Sequence, residues 1–416
     1  MAMSKSTLHE DWAVVVLGFL IILITLYLYV VPAPSFGWSN GEDLSAKVFS
    51  SKNLGVIITQ FVFVYIIGAL AIVLTGKQLK SFLIVFPIIF FIAMAAMIIT
   101  GNAFIKDLGL EAVIFSLSIG LIIGNAFRLP EWFRSTLSAE LFVKIGLVLL
   151  GAGVIFGDIL KAGGLGLIQA LIVVLSVWYF AFWVCKKLKL DQELSMMISS
   201  AVSICGVSAA IATAGAIKGD PKKLSYVISM VLITAIPMMI LMPVAARYMG
   251  LSEEVTGAWL GGTIDTTGAV VASGTLVGET ALKLSTIVKF SQNVLLGLAA
   301  FAISVYWTYN GNAADKNVQK PTLGLIWDRF PKFVLGFVAV SLFFSFVLAP
   351  EKVATVKDSL KSLQTLWFVM AFTSIGLETR FADLFNAQGK KPLYAFLIAQ
   401  GFNIIVTLIV AYLLFG

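Results

Sequence analysis

Gly261-Gly262-Thr263-Ile264-Asp265-Thr266-Thr267-Gly268-Ala269-Val270-Val271-Ala272-Ser273-Gly274 is an apolar stretch with few bulky side chains and one carboxylate inside it. Ser203-Ile204-Cys205-Gly206-Val207-Ser208-Ala209-Ala210-Ile211-Ala212-Thr213-Ala214-Gly215 has the same character. Glycine weakens a helix by up to about 1 kcal/mol relative to alanine. Small hydroxyl side chains can bond the backbone groups that a break sets free. Each stretch therefore reads as a helix broken near mid-membrane, with free N–H groups on one half and free C=O groups on the other. The N–H end attracts anions and the C=O end cations. The competing reading is close helix packing through small residues. For one stretch alone the two readings balance; two such stretches beside an internal repeat favour breaks.

The surrounding composition places these stretches in a bilayer. Of 416 residues, 59% are hydrophobic and 12% charged, and the mean hydropathy is +0.99. Soluble domains carry about 45–50% apolar and about 25% charged residues, and no soluble fold hides so much apolar surface. The chain is expected to be an all-α polytopic membrane protein in contact with lipid. Soluble enzymes, nucleic-acid binders and disulfide-stapled domains are excluded. A spanning helix needs about 20 apolar residues. Candidate runs lie near 12–31, 54–75, 82–100, 111–127, 138–159, 165–185, 192–217, 224–249, 253–277, 281–308, 332–350, 361–377 and 392–415. They give about 11–13 transmembrane helices, since open sheet is too costly in lipid. The expected division is 1–110 as extra N-terminal helices, 111–250 as a first repeat unit and 251–416 as a second.

Gly151-Ala152-Gly153-Val154-Ile155-Phe156-Gly157-Asp158-Ile159-Leu160-Lys161-Ala162-Gly163-Gly164 aligns without gaps on 376–389. Gly151, Phe156, Asp158, Ala162 and Gly164 match Gly376, Phe381, Asp383, Ala387 and Gly389. Seven counted spans separate the copies. An odd number means opposed orientation, the inverted-repeat plan of many secondary transporters. Alternating sides along the chain puts 16 of the 29 Lys and Arg on the N-terminal side and 11 on the other, which favours a cytoplasmic N-terminus.

Two charges sit at a cost inside apolar runs. Asp265 could bind a cation, take up a proton, pair with a lysine, or cap a half-helix starting at Thr266 and Thr267. Lys289 shares a helix face with Ser285, Gln292 and Asn293 at helical spacing. That polar stripe points inward, where the ammonium could bind an anion or neutralise Asp265; the alternative is snorkelling to an interface. Lys144 follows Glu140 by four positions, which reads as a local pair. Gln400 and Asn403 read as interhelical hydrogen-bonding residues, and Gly120–Gly124 as a packing motif. The single histidine, His9, precedes the first apolar run. No zinc motif or P-loop is present, so no metal site, cofactor or catalytic residue is expected. Cys185 and Cys205 lie in apolar runs and offer no disulfide framework. Ser203, Cys205 and Ser208 lack a histidine partner, which weighs against an intramembrane enzyme.

The runs Gly146–Gly151, Ser203–Ala209, Trp259–Ala272 and Thr286–Lys289, in this order and spacing, resemble the sulfate exporter family of bacterial inner-membrane proteins. The likeness covers about 110–415. Gly151–Asp158, Cys205–Ser208 and Lys218-Gly219-Asp220 also resemble the plan of sodium-coupled bile-acid symporters. The resemblance implies an inverted repeat with two broken crossing helices, a substrate near their crossing, and an alternating-access cycle. Family members carry a histidine and a glutamate where this chain has Asp265 and Thr266, which implies a different proton or cation coupling. The expected substrate is a small anion such as sulfate, sulfite or an organosulfonate-related solute. Its site is expected at Ser203, Gly206, Ser208, Asp265, Thr266, Thr267, Gly268, Lys289 and Asn293, with H+ or Na+ as coupling ion and a homodimer left open. A cation/proton antiporter using Asp265 is the alternative. Counted as full crossings, 203–215 and 261–274 run parallel, where an inverted repeat needs them opposed. A re-entrant segment or a miscounted span would resolve this, and the sequence leaves the choice open.

Overall fold

A computed structural model describes residues 8–107, 111–309, 323–379 and 390–416. Its longer helices are α1 (Glu10–Leu23, continuing as a π-helical turn to Leu28), α2 (Ser51–Leu74), α3 (Leu79–Thr100), α4 (Ala112–Ala126) and α5 (Ala139–Leu150). They continue with α6 (Phe156–Lys187), α7 (Gln192–Ser200), α8 (Val207–Ile217), α9 (Pro221–Tyr248), α10 (Glu253–Thr263) and α11 (Thr267–Val277). The last are α12 (Glu279–Tyr309), α13 (Lys332–Leu342), α14 (Pro350–Glu378) and α15 (Lys390–Phe415). Among the described residues, eight helical segments are long and apolar enough to cross a membrane, so the chain is a nearly all-helical, polytopic membrane protein. Each of the thirteen apolar runs is helical. Three of them are interrupted: 138–159 at Val154–Ile155, and 192–217 and 253–277 near their middles. The second copy of the repeat, 376–389, lies outside the described residues beyond Thr379.

The chain packs as two compact units. The first comprises Met1–Ile159 and Lys332–Arg380. In it, a Cβ built on Gly120 would come within 2.5 Å of the Thr373 carbonyl, and one on Gly376 within 2.5 Å of the Leu117 carbonyl. Small residues thus let the α4 and α14 backbones approach closely. Helical spacing pairs Lys144 with Glu140, four residues before it. The Lys144–Glu140 distance is 3.5 Å, but Lys144 lies 3.0 Å from both Glu10 and Asp11 in the first turn of α1. Asp11 also accepts a 2.9 Å hydrogen bond from the Lys332 backbone N–H. A sequence-local rule cannot see partners that α1 brings across from the other end of the unit. Lys144→Met should lower stability by about 3 kcal/mol, because it strands the buried Asp11 carboxylate. Thermal unfolding in detergent checks this, and a wild-type melting curve would overturn the anchoring role.

The second unit comprises Leu160–Pro331 and Phe381–Gly416. Here each interrupted run folds back on itself. Asp191 caps α7 by accepting from the Leu194 N–H at 3.1 Å. Beyond α8, Asp220 caps α9 and Pro221 occupies its first turn, where its missing N–H costs nothing. Lys223 then reaches back to Asp191 at 2.7 Å and Glu193 at 3.1 Å. The start of α7 and the end of α8 are therefore neighbours, and α7–α8 is a re-entrant hairpin. In the second hairpin, Ser252 caps α10. The carboxylate of Glu253 accepts from the Thr280 and Ala281 N–H groups, at 3.1 and 3.3 Å, just past α11. Both runs are broken, as the sequence suggests, and each folds back so that its end lies near its start. The first hairpin has its base at the start of α9 and the second follows the end of α9, so the two enter from opposite ends of one spanning helix. This supplies the opposed orientation that a count of full crossings denies.

Candidate functional site at the hairpin tips

The first tip forms where α7 runs into a π-helical turn, Ala201–Cys205, closed by the Gly206 N–H on the Ala201 carbonyl at 3.0 Å. Gly206 then turns the chain with φ +62° and ψ −113°, a conformation that residues with a Cβ avoid. A Cβ there would lie 2.7 Å from Val231 of α9 and 3.1 Å from the Asp265 Cβ. The second tip is Ile264–Asp265, between α10 and α11, followed by Thr266, whose hydroxyl accepts from the Ala269 N–H at 3.3 Å. The two tips thus touch at Gly206 and Asp265. Close packing by small residues holds on the same segment, since a Cβ on Gly261 would strike the Ser285 carbonyl of α12.

A broken helix leaves its last carbonyls without intrahelical partners. Side chains from three other helices meet them. Lys289 Nζ donates to the Ile204 carbonyl at 2.9 Å and to Gln292 Oε1 at 2.8 Å. Gln292 donates to the carbonyls of Ser203 (2.8 Å) and Gly262 (3.2 Å). Asn403 of α15 donates to the carbonyls of Val202 (3.1 Å) and Thr263 (3.2 Å), and Gln400 to that of Thr263 (3.1 Å). Gln169 of α6 donates to the Ala258 carbonyl at 2.7 Å. The C=O ends of both α7 and α10 are therefore capped by protein.

The N–H ends are left more open. The first turn of α8 has no side-chain cap, Ser208 is exposed and Val207 half-buried. Thr266, Thr267 and Gly268 are half-buried at the start of α11. Thr267 Oγ1 accepts from Asn293 at 3.3 Å. Ser203 contributes its carbonyl, because its hydroxyl donates back to the Ser199 carbonyl of its own helix at 2.7 Å. Lys289, 1% exposed, does not snorkel. Its ammonium is engaged by the Ile204 carbonyl of the first tip and by Gln292 Oε1 of its own helix, while Asp265, also 1% exposed, keeps an Oδ2 without a hydrogen-bond partner. The expected polar stripe of Ser285, Lys289, Gln292 and Asn293 is buried throughout.

A family model described as "Conserved hypothetical protein 698" matches residues 83–395. The chain belongs to this family. Relatives in it carry the name "UPF0324 membrane protein". One from Rhodopirellula baltica is 41% identical over 322 residues, covering 75% of this chain and 59% of its own length. One from Nitratidesulfovibrio vulgaris is 38% identical over 325 residues, covering 75% of this chain and 55% of its own. The chain thus spans less than two thirds of these relatives. One from Corynebacterium glutamicum is 27% identical over 301 residues, covering 72% of this chain and 83% of its own. No solved structure matches the chain.

Within this family member, Gln169 and Glu253 are the site residues that sequence reading passed over. Gln169 was legible in principle as a lone amide on a 32-residue apolar helix. Glu253 looks like one of two acidic residues opening α10, and only the fold-back of α11 delivers it to the start of α12. At the base of the first hairpin, burial alone would raise the Asp191 carboxyl, but hydrogen bonds from Lys223 and the Leu194 N–H hold it below the usual carboxylate range. A group with a lowered folded-state pKa stabilises the fold above its unfolded value and loses that contribution as pH falls through the lowered value. Acid unfolding of Lys223→Met should therefore begin at higher pH than in the wild type. Coincident profiles, followed by circular dichroism, would remove this clamp.

Proposed function

We propose that the chain is a secondary transporter that carries a small anion, of the sulfate, sulfite or organosulfonate-related class, across the bacterial inner membrane by alternating access. The observation that carries this reading is the asymmetry of the two touching tips. Their carbonyl ends are capped by Lys289, Gln292, Gln400 and Asn403, whereas the N–H ends at Val207–Ser208 and Thr267–Gly268 stay partly open. The open N–H ends favour an anion, and the buried ammonium of Lys289 offsets the buried Asp265 carboxylate beside them. Irregular backbone at membrane depth is tolerated only inside protein or along a water-filled cavity, and hairpins entering from opposite ends of α9 support reading both tips in such a setting. Lys289 orders the first tip and supplies charge. Asn293 fixes Thr267 at the second.

The charge distribution supports a cytoplasmic N-terminus. With both hairpins re-entrant, Lys218, Lys222 and Lys223 join the N-terminal side and Arg247 leaves it, so the division of 16 to 11 becomes 18 to 9. A cation/proton antiporter is the second reading, favoured by the unpartnered Asp265 Oδ2. Purified full-length protein in liposomes should take up radiolabelled sulfate or sulfite saturably, above empty liposomes. Cation exchange with no anion flux would replace this reading by the second.

A further inference from the structure

Among the described residues of the second unit, the buried charged side chains are Asp265 and Lys289. Its other described Lys, Arg, Asp and Glu residues are half-buried or exposed. The buried ammonium and carboxylate add to zero, and a proton passed from Lys289 to Asp265 leaves that sum unchanged. What remains at the tips is the backbone. A helix N-terminus acts as about half a positive elementary charge, so α8 and α11 together supply about one. Both helices start at one contact. α8 begins immediately after Gly206 and α11 two residues after Asp265, and a Cβ on Gly206 would lie 3.1 Å from the Asp265 Cβ and 3.2 Å from its carbonyl oxygen. One turn of α12 reaches both tips. Lys289 donates to the Ile204 carbonyl at 2.9 Å, and Asn293 donates to Thr267 Oγ1 in the first turn of α11 at 3.3 Å. Asn293 is 5% exposed, and its Oδ1 has no hydrogen-bond partner. The Thr267 hydroxyl can donate as well as accept, so this amide can turn either its oxygen or its nitrogen to a ligand.

We infer that the site at the tips selects a monovalent anion, of the sulfonate or hydrogen sulfite kind, over a dianion such as sulfate. The inference rests on the transport reading above and narrows its substrate by valence. Two N–H ends offset one negative charge. A dianion leaves its second charge unmet, because the Lys289 ammonium is already balanced by Asp265. An uncompensated charge in a buried site is far costlier than a matched one. Asp265 is thereby a specificity-determining residue: its carboxylate cancels the cation that a dianion would need. Methanesulfonate and sulfate separate valence from shape, since both are tetrahedral about sulfur and differ by a methyl group in place of one oxygen.

The test is uptake of radiolabelled methanesulfonate and of sulfate by liposomes holding the purified full-length protein, at equal concentration, ionic strength and pH in a gluconate background. Thermal unfolding of the same protein in detergent is followed at low concentrations of each anion, where the general stabilisation by sulfate stays small. A ligand that binds only the folded state raises its stability saturably. Wild-type protein is expected to carry methanesulfonate at least tenfold faster than sulfate and to be stabilised by it at lower concentration. In Asp265→Asn the Lys289 ammonium is unopposed, so the flux ratio should move at least tenfold toward sulfate. Sulfate flux equal to or above that of methanesulfonate in the wild type overturns the inference and leaves an anion transporter standing. An unchanged ratio in folded Asp265→Asn overturns it as well, and if that variant does not fold, the wild-type ratio decides. Saturable stabilisation by methanesulfonate ahead of sulfate, with flux of neither, would sink the transport reading and leave the preference for a single charge standing. Neither flux nor stabilisation with either anion would remove both.

Discussion

Lys289→Met is expected to reduce anion flux in proteoliposomes at least 100-fold and to lower the thermal stability of the purified protein. The Lys289 ammonium is buried and makes two hydrogen bonds, to the Ile204 carbonyl and to Gln292 Oε1. Methionine keeps the apolar stem and removes both. Each stranded buried acceptor costs about 1–3 kcal/mol, and Asp265 loses the nearest compensating charge. A 100-fold loss of rate corresponds to about 2.7 kcal/mol, which disordering of the first tip together with loss of the positive field supplies. Lys289→Arg keeps the charge, but its planar fork does not reproduce a compact ammonium between two oxygens, so its flux should fall between the two. Folding is monitored by size-exclusion chromatography. A folded Lys289→Met with wild-type flux would remove this residue from the mechanism. If methionine prevents folding, a folded Lys289→Gln with undiminished flux would remove it equally.

Gly206→Ala should be nearly as damaging. The φ of +62° and ψ of −113° at Gly206 cost a residue with a Cβ about 1–3 kcal/mol. The added carbon would also press on Val231 at 2.7 Å and on the Asp265 Cβ at 3.1 Å, forcing the tips apart at their contact. Flux should drop about 10- to 100-fold by the same conversion. Gly164→Ala is the control, because a Cβ on Gly164 in α6 meets nothing within 4 Å. It should leave flux unchanged and stability equal or slightly higher. Equal behaviour of the two variants would show that the shape of the first tip does not matter.

Much of this arrangement could be read from the chain alone, and the boundary has a physical basis. The thirteen apolar runs became helices because a backbone in lipid must bond within its own segment, and run length sets helix length. The glycines and hydroxyl residues at 203–215 and 261–274 marked breaks because helix propensity is local. Ser285, Lys289, Gln292 and Asn293 marked an inward face because the helical period puts them together. None of these signals says which way the chain goes after a break. That direction depends on partners far away in sequence: Asn403 reaches the Val202 carbonyl across 201 positions, and Gln292 joins Ser203 to Gly262. Lys144 likewise prefers Glu10 and Asp11, more than 130 positions away, over the neighbour its own helix offers. Composition and period determine where backbone groups lose their local partners. Only the folded chain decides who replaces those partners, and so whether a broken helix crosses the membrane or turns back.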